Sequence, residues 1–278
     1  MHFLKVKRLL LKGYMARAKR HYISGCIWHI THRCHKREFL LKFSRDQRRY
    51  LQWLYQARKR YGLTILDYMV TSNHIHLLVA DDGDRDVIPN SMQLVAGRTG
   101  QEFNQRKKRK GAYWEDRYHA TAIESGDHLA RCIVYIDTNM VRAGVVNHPS
   151  MWPFSGYNEI QKPRRKNVLI DYEKLQGLIG VGSYDQLRNS HKGWVDEYLG
   201  GEVKRRQEEW TASIAVGSKS FIEDVKARLG FRAKGRDVIE GVEGNHLRES
   251  PAHYKSLFDT ENDDIDTENN YFWEVSTE

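Results

Sequence analysis

Cysteine is scarce: Cys26, Cys34 and Cys132 are the only three in 278 residues, they form no CxxC pair, and any pairing leaves one over. Such a set builds no disulfide framework and fits a reducing compartment. Proline is nearly as sparse, at five residues, and the 21 glycines follow no triplet period, which excludes collagen-like and low-complexity designs. No apolar run approaches the ~18 residues expected of a membrane-spanning helix, so no membrane partner is expected. The opening stretch MHFLKVKRLLLKGY is basic but lacks the long apolar region and small-residue cleavage site of a signal peptide. A cytoplasmic location follows as the expectation, with Met15 an alternative start to Met1.

Acidic residues are also short in one part of the chain. Residues 1–166 hold 31 Lys and Arg against 14 Asp and Glu, whereas the remaining 112 hold 14 against 22, within an overall charge of +9. Asymmetry of this size points to a polyanionic partner for the first part, and nucleic acid fits best, since neutralised phosphates release counterions. A solvated basic surface is the plainer alternative. With 40% hydrophobic and 29% charged residues, the chain has material for one large domain or two small ones.

The hydrophobic pattern gives a coarse element order. His21–Arg33 alternates and reads as a strand. Ser44–Tyr61 opens on a serine cap, repeats Tyr50, Leu51, Leu54 and Ala57 at helical spacing, and stops at Gly62. Leu63–Val79 reads as two strands joined by the Thr71-Ser72-Asn73 turn. Ser91–Lys108 is helical and runs into the basic block 106–110; Tyr113–Glu124 is a strand, and a helix extends from Asp127 to about Arg142. This order predicts an α+β layer, an antiparallel sheet with helices on one face. Beyond the basic stretch Lys162–Lys166, short amphipathic helices are expected at Tyr184–Leu199, Glu202–Ser213 and Ser218–Leu229. Residues 256–278 carry eight acidic residues and no Lys or Arg, the composition of a disordered tail.

Chemistry is concentrated in two places. In Asn73-His74-Ile75-His76-Leu77-Leu78-Val79 the two histidines lie on one face of a strand and Ile75 on the other. Paired imidazoles make half of a divalent-metal site, although a structural pair is equally compatible with the pattern. In Cys132-Ile133-Val134-Tyr135-Ile136-Asp137-Thr138-Asn139, spacing of four sets Tyr135 and Asn139 on one helical face. A hydroxyl nucleophile beside an amide ligand makes sense only if that face meets the histidines; otherwise Tyr135 is a core residue. Tyr118 and His119 are a weaker alternative. His29, His32, Cys34 and His35 match no closed zinc spacing and read as solvated or DNA-facing, and Asp137 falls off the Tyr135 face.

Taken together, His74-Ile75-His76, the run Tyr135-Ile136-Asp137-Thr138-Asn139-Met140-Val141-Arg142-Ala143-Gly144 and Trp152-Pro153-Phe154-Ser155 resemble the single-tyrosine HUH transposases. Among these the pattern looks like the branch associated with repetitive extragenic palindromes. Trp114-Glu115-Asp116-Arg117-Tyr118 is similar to the strand that precedes their tyrosine helix. The resemblance covers roughly residues 15–160. Met140 departs from the usual proline, which should alter the helix end rather than remove chemistry. The resemblance implies a ferredoxin-like sheet and cleavage and rejoining of single-stranded hairpin DNA through a 5′-phosphotyrosine. It also implies Tyr135 as nucleophile and His74, His76 and Asn139 as ligands of Mg²⁺ or Mn²⁺.

Arg106, Lys107, Lys108, Arg109, Lys110 and Arg117 are candidate phosphate contacts, with Arg17, Lys19 and Arg20 as an N-terminal arm. Trp28, Tyr113 and Trp114 are candidates for stacking on bases. The expected organisation is a basic extension over 1–14, the transposase-like domain over 15–160, a helical region over 161–255 with a structural or regulatory role, and the acidic tail over 256–278. A monomer or homodimer fits equally. Two rivals remain: a non-catalytic nucleic-acid-binding module of the same fold, and a hydrolytic metal-dependent phosphoesterase.

Overall fold

The computed structural model describes residues 22–201, 207–241 and 244–249. Its elements run β1 (Ile27–Arg33), α1 (Ser44–Tyr61), β2 (Thr64–Val70), β3 (His74–Ala80), α2 (Val87–Arg106), β4 (His119–Ile123), α3 (Asp127–Asp137), α4 (Asn139–Arg142), α5 (Gly156–Gln161), α6 (Tyr172–Ile179), α7 (Tyr184–Gly200), α8 (Glu209–Ala212), β5 (Ala215–Gly217), α9 (Lys219–Leu229), β6 (Arg236–Gly241) and β7 (Gly244–Glu249). Arg17, Lys19, Arg20 and the acidic tail lie outside the described residues.

The strands form one sheet in the order β2-β3-β1-β4-β5-β7-β6. Its first four strands are antiparallel and, with α1 and α2 as the crossovers, make the ferredoxin-like arrangement. Strand β5 joins parallel to β4, and the β6–β7 hairpin extends the sheet beyond it. These strands were not expected: β5 is three residues long, too short for alternation to register, and β6 is largely exposed. The expected 202–213 helix is reduced, among described residues, to the single turn Glu209–Ala212.

Strand alternation divides the chemistry between two faces. In register, Thr31 opposes His76, Arg33 opposes His74, and Thr31 opposes His119, so His29, Thr31, Arg33, His74, His76 and His119 share a face. Trp28, Ile30 and His32 point the other way. There Trp114 stacks on His32, lies edge-on to Tyr50 of α1, and donates its indole N–H to the Ala96 carbonyl of α2. Thus α1 and α2 cover one face, and α3 covers the face carrying His29, His74 and His76.

Local rules set the boundaries. Gly62 stops α1 in the left-handed region (φ 73°), its N–H returning to the Arg58 carbonyl, a conformation that costs glycine little. The start differs from expectation by one residue: Phe43 occupies the cap position and Ser44 is already helical, with no side-chain cap bond. Helix α3 halts at Thr138, whose hydroxyl turns back to the Val134 carbonyl at 2.6 Å, and the chain resumes helix for one turn from Asn139.

A candidate active site built on strand β3 and helix α3

The turn Thr71–Asn73 delivers His74 to the start of β3. The Thr71 hydroxyl donates to the His74 carbonyl (2.8 Å) and accepts from the His74 N–H (3.1 Å), fixing the strand's first residue. The Asn73 amide donates its Nδ2 to the Arg37 carbonyl, which leaves Oδ1 toward His74 Nδ1 at 2.7 Å. An amide oxygen only accepts, so Nδ1 of His74 carries the proton and Nε2 is the lone-pair nitrogen.

His76, two residues on, has its ring centroid 5.0 Å from that of His74. Its Nε2 is 3.1 Å from the Asn139 carboxamide, and its Nδ1 is 2.8 Å from Nε2 of His29. His29 is wholly buried and its Nδ1 donates to the Trp210 carbonyl at 2.8 Å. Burial pushes the His29 imidazole down to about 3, so it is neutral near pH 7.

Tyr135 projects from α3 onto these rings, its centroid 5.9 Å from His76 and 6.1 Å from His29, both edge-on. Trp210 flanks it at 6.1 Å. Arg142, one turn past the helix break, folds back so that its guanidinium lies 4.2 Å over the Tyr135 ring while donating to the Tyr135 carbonyl (2.8 Å) and Thr138 Oγ1 (2.6 Å). A positive charge therefore lies against the phenol and covers the helix's C-terminal carbonyls.

His74, His76 and Tyr135 line a cleft of about 440 Å³ whose other walls include Arg33, Arg117, Glu115, Asp116, His119 and Thr211. The structure therefore brings together Tyr135, His74, His76 and Asn139, which lie 65 residues apart at the extremes of their sequence span. Two grooves of about 540 and 860 Å³ run along α1 and carry Arg48 and Arg49, on the side of the sheet away from Tyr135.

The other candidates distribute differently. Arg117 is exposed at the cleft. Within the basic block, Arg106 pairs with Asp46, and Arg109 donates to the Ala112 carbonyl (2.8 Å) and reaches Glu38. Lys107, Lys108 and Lys110 are exposed. Trp28 and Tyr113 are buried in the core and Trp114 is held between α2 and His32, so none presents a ring for base stacking. His29 and His32 are buried rather than solvated. Sequence reading missed Arg33, Thr31 and Arg142; the alternation His29-Ile30-Thr31-His32-Arg33 carried the signal for the first two.

As for a metal, no three His, Cys, Asp or Glu converge among the described residues; what converges is two imidazoles and one carboxamide. That donor set fits a divalent cation. The His74 tautomer exposes a lone pair, and a half-turn of the Asn139 amide exchanges Nδ2 for the oxygen such an ion takes.

Residues 22–139 match the family model of IS200-like transposases. Over that segment the chain is similar to the IS200-like transposases. The matched segment runs from the residues before β1 to Asn139, enclosing His74, His76 and Tyr135; the rest of α4 and everything through β7 lie outside it. No curated protein matches the chain. Among solved structures, a REP-associated tyrosine transposase bound to a REP hairpin is 20% identical, covering 57% of this chain and 95% of its own, with a TM-score of 0.45. A candidate transposase from Deinococcus radiodurans R1 is 17% identical over 39% of this chain and 86% of its own, at a TM-score of 0.31.

Proposed function

We propose that the chain is a metal-dependent tyrosine transposase that cleaves and rejoins single-stranded hairpin DNA. The observation that carries this is the meeting of Tyr135 with His76 and Asn139 inside a residue span that matches the transposase family. The motifs around Tyr135 resemble the palindrome-associated branch, which makes an imperfect hairpin with an unpaired 5′ flank the substrate class.

Tyr135 is the nucleophile. Its phenolic oxygen attacks the scissile phosphorus in line, a P–O bond to tyrosine forms, and the bond to the 3′ oxygen breaks. The phenol proton leaves to solvent and the departing 3′ oxygen takes one up. The product, a 5′-phosphotyrosine, keeps a phosphodiester linkage, so attack by a second 3′-hydroxyl reverses the step and joins new ends without an added energy source. His74, His76 and Asn139 hold Mg²⁺ or Mn²⁺. When bound, such an ion neutralises charge developing on the phosphate. Arg142 braces the ring and the helix end behind it, keeping the phenol aimed at the cleft. Arg33 and Arg117 supply positive charge where the DNA backbone enters, and Lys107, Lys108 and Lys110 contact phosphates farther along it. Contact between Tyr135 and the histidines of its own chain supports action within one subunit.

The test mixes full-length protein with a 5′-tailed hairpin oligonucleotide and Mn²⁺ or Mg²⁺, and separates products on a denaturing gel. A protein–DNA adduct that Tyr135→Phe and His76→Ala both lose is the expected result. Cleavage that survives Tyr135→Phe with no adduct overturns the reading in favour of a hydrolase. Binding without cleavage overturns it in favour of a binding module.

A further inference from the structure

The segment Glu209–Gly217 lies outside the transposase match, yet it borders the site. It runs beside β4: Ala122 N–H donates to the Ile214 carbonyl (2.8 Å), Thr121 Oγ1 to the Ser213 carbonyl (2.7 Å), and His119 Nε2 to the same carbonyl (3.1 Å). Trp210 and Ser213 are wholly buried there. One carbonyl of this segment, that of Trp210, accepts from His29, and His29 in turn meets His76.

Hydrogen-bond direction propagates along that chain. A carbonyl only accepts, so His29 donates from Nδ1. His29 is fully buried between a carbonyl and an imidazole, which disfavours its charged form. Its Nε2 therefore carries a lone pair, and the 2.8 Å contact requires His76 to donate from Nδ1. Nε2 of His76, on the side of Asn139, is then the lone-pair nitrogen. We infer that His29 is a positioning residue which, anchored by the Trp210 carbonyl of the C-terminal region, fixes His76 in the tautomer that presents Nε2 to a cation. The C-terminal region thus completes the site from behind. Both histidines of the pair are held alike, His74 by Asn73 and His76 by His29, but only His29 is in turn anchored from outside the matched segment, by the Trp210 carbonyl. Buried partners of ligating histidines act in this way by holding the ring and raising its basicity.

The claim about Mn²⁺ rests on the metal reading above; the claim about the tautomer does not, and the experiment separates them. Long-range ¹H–¹⁵N spectra of metal-free, histidine-labelled full-length protein, with His76→Ala to assign the signal, report which nitrogen of His76 is protonated. The expected result is a protonated Nδ1 and an unprotonated Nε2. In His29→Leu the Nε2–H form gains, and Mn²⁺ affinity followed by electron paramagnetic resonance falls about 10- to 100-fold. His29→Gln, whose amide can donate to the carbonyl and accept from His76, restores affinity to within about threefold. A wild-type His76 protonated on Nε2 overturns the inference, as does a His29→Leu variant with unchanged tautomer and Mn²⁺ affinity. Should His29→Leu not fold, the wild-type spectrum and His29→Gln decide. A wild type with the expected tautomer and no Mn²⁺ binding upholds the relay and sinks the metal reading.

Discussion

His74 and His76 are useful to each other only because β-strand alternation puts them on one face and Ile75, buried on the other, holds the strand in place. That much was legible from three letters of sequence. The partners that set their ring orientation were not, because Asn73, His29 and Trp210 act through side-chain geometry and a backbone carbonyl that no spacing encodes. A buried acid near α3 illustrates the same limit. Asp67 is fully buried, and burial, with Asp137 adding like charge, pushes its carboxyl well above the usual range. The folded chain therefore holds this proton where the unfolded chain, with an ordinary value of 3.8, has lost it. Stability from this group is complete below about pH 4 and declines as pH rises toward the folded-state value. Asp67→Asn removes the decline: its stability relative to wild type, measured by urea unfolding, should be greater at pH 8 than at pH 5 by about 1 kcal/mol or more. An equal difference at both pH values would show that Asp67 ionises as an ordinary carboxylate.

At the scale of elements, the helix expected over 127–142 is two pieces broken at Thr138. At the break the Thr138 N–H and hydroxyl both return to the Val134 carbonyl, the Tyr135 carbonyl accepts from the Arg142 guanidinium, and Arg142 closes on Tyr135 from the second piece. Asp137 was set aside in the sequence because it faces away from Tyr135, and the structure shows what that orientation does. It accepts the Tyr157 N–H at 3.0 Å and meets His191 Nε2 of α7 at 2.7 Å, both residues fully buried. Helix α7 is thereby fastened to the back of the tyrosine helix, a long-range contact that periodicity cannot reveal. His191→Leu leaves Asp137 buried with one partner fewer, and chemical denaturation should show a loss of about 3 kcal/mol. A loss near zero would mean that the α3–α7 packing does not depend on the pair. The ferredoxin-like half was readable because its strands alternate and its helices are long. Strands β5 to β7 were not, since a three-residue buried strand and an exposed hairpin carry little pattern.

Over the whole molecule, several of the Lys and Arg residues of 1–166 are held in ion pairs by the fold. Arg49 pairs with Glu102, Arg106 with Asp46 and Arg164 with Glu159, so the count of Lys and Arg, though not the net charge, overstates the basic surface. The exposed lysines of the 106–110 block are the proposed phosphate contacts. Changing Lys107, Lys108 and Lys110 together to Ala should weaken hairpin binding and reduce the slope of log affinity against log salt by about 2. An unchanged slope would remove that block from the interface. The central claim concerns one oxygen atom, and the most direct measurement locates the covalent bond. After reaction with a 5′-tailed hairpin, the adduct is digested with nuclease and trypsin and mapped by mass spectrometry. The account predicts a nucleotide remnant on the peptide Cys132–Arg142, whose only tyrosine is Tyr135. A remnant on the peptide carrying Tyr118, or DNA cleaved with no remnant on any tyrosine, would contradict it.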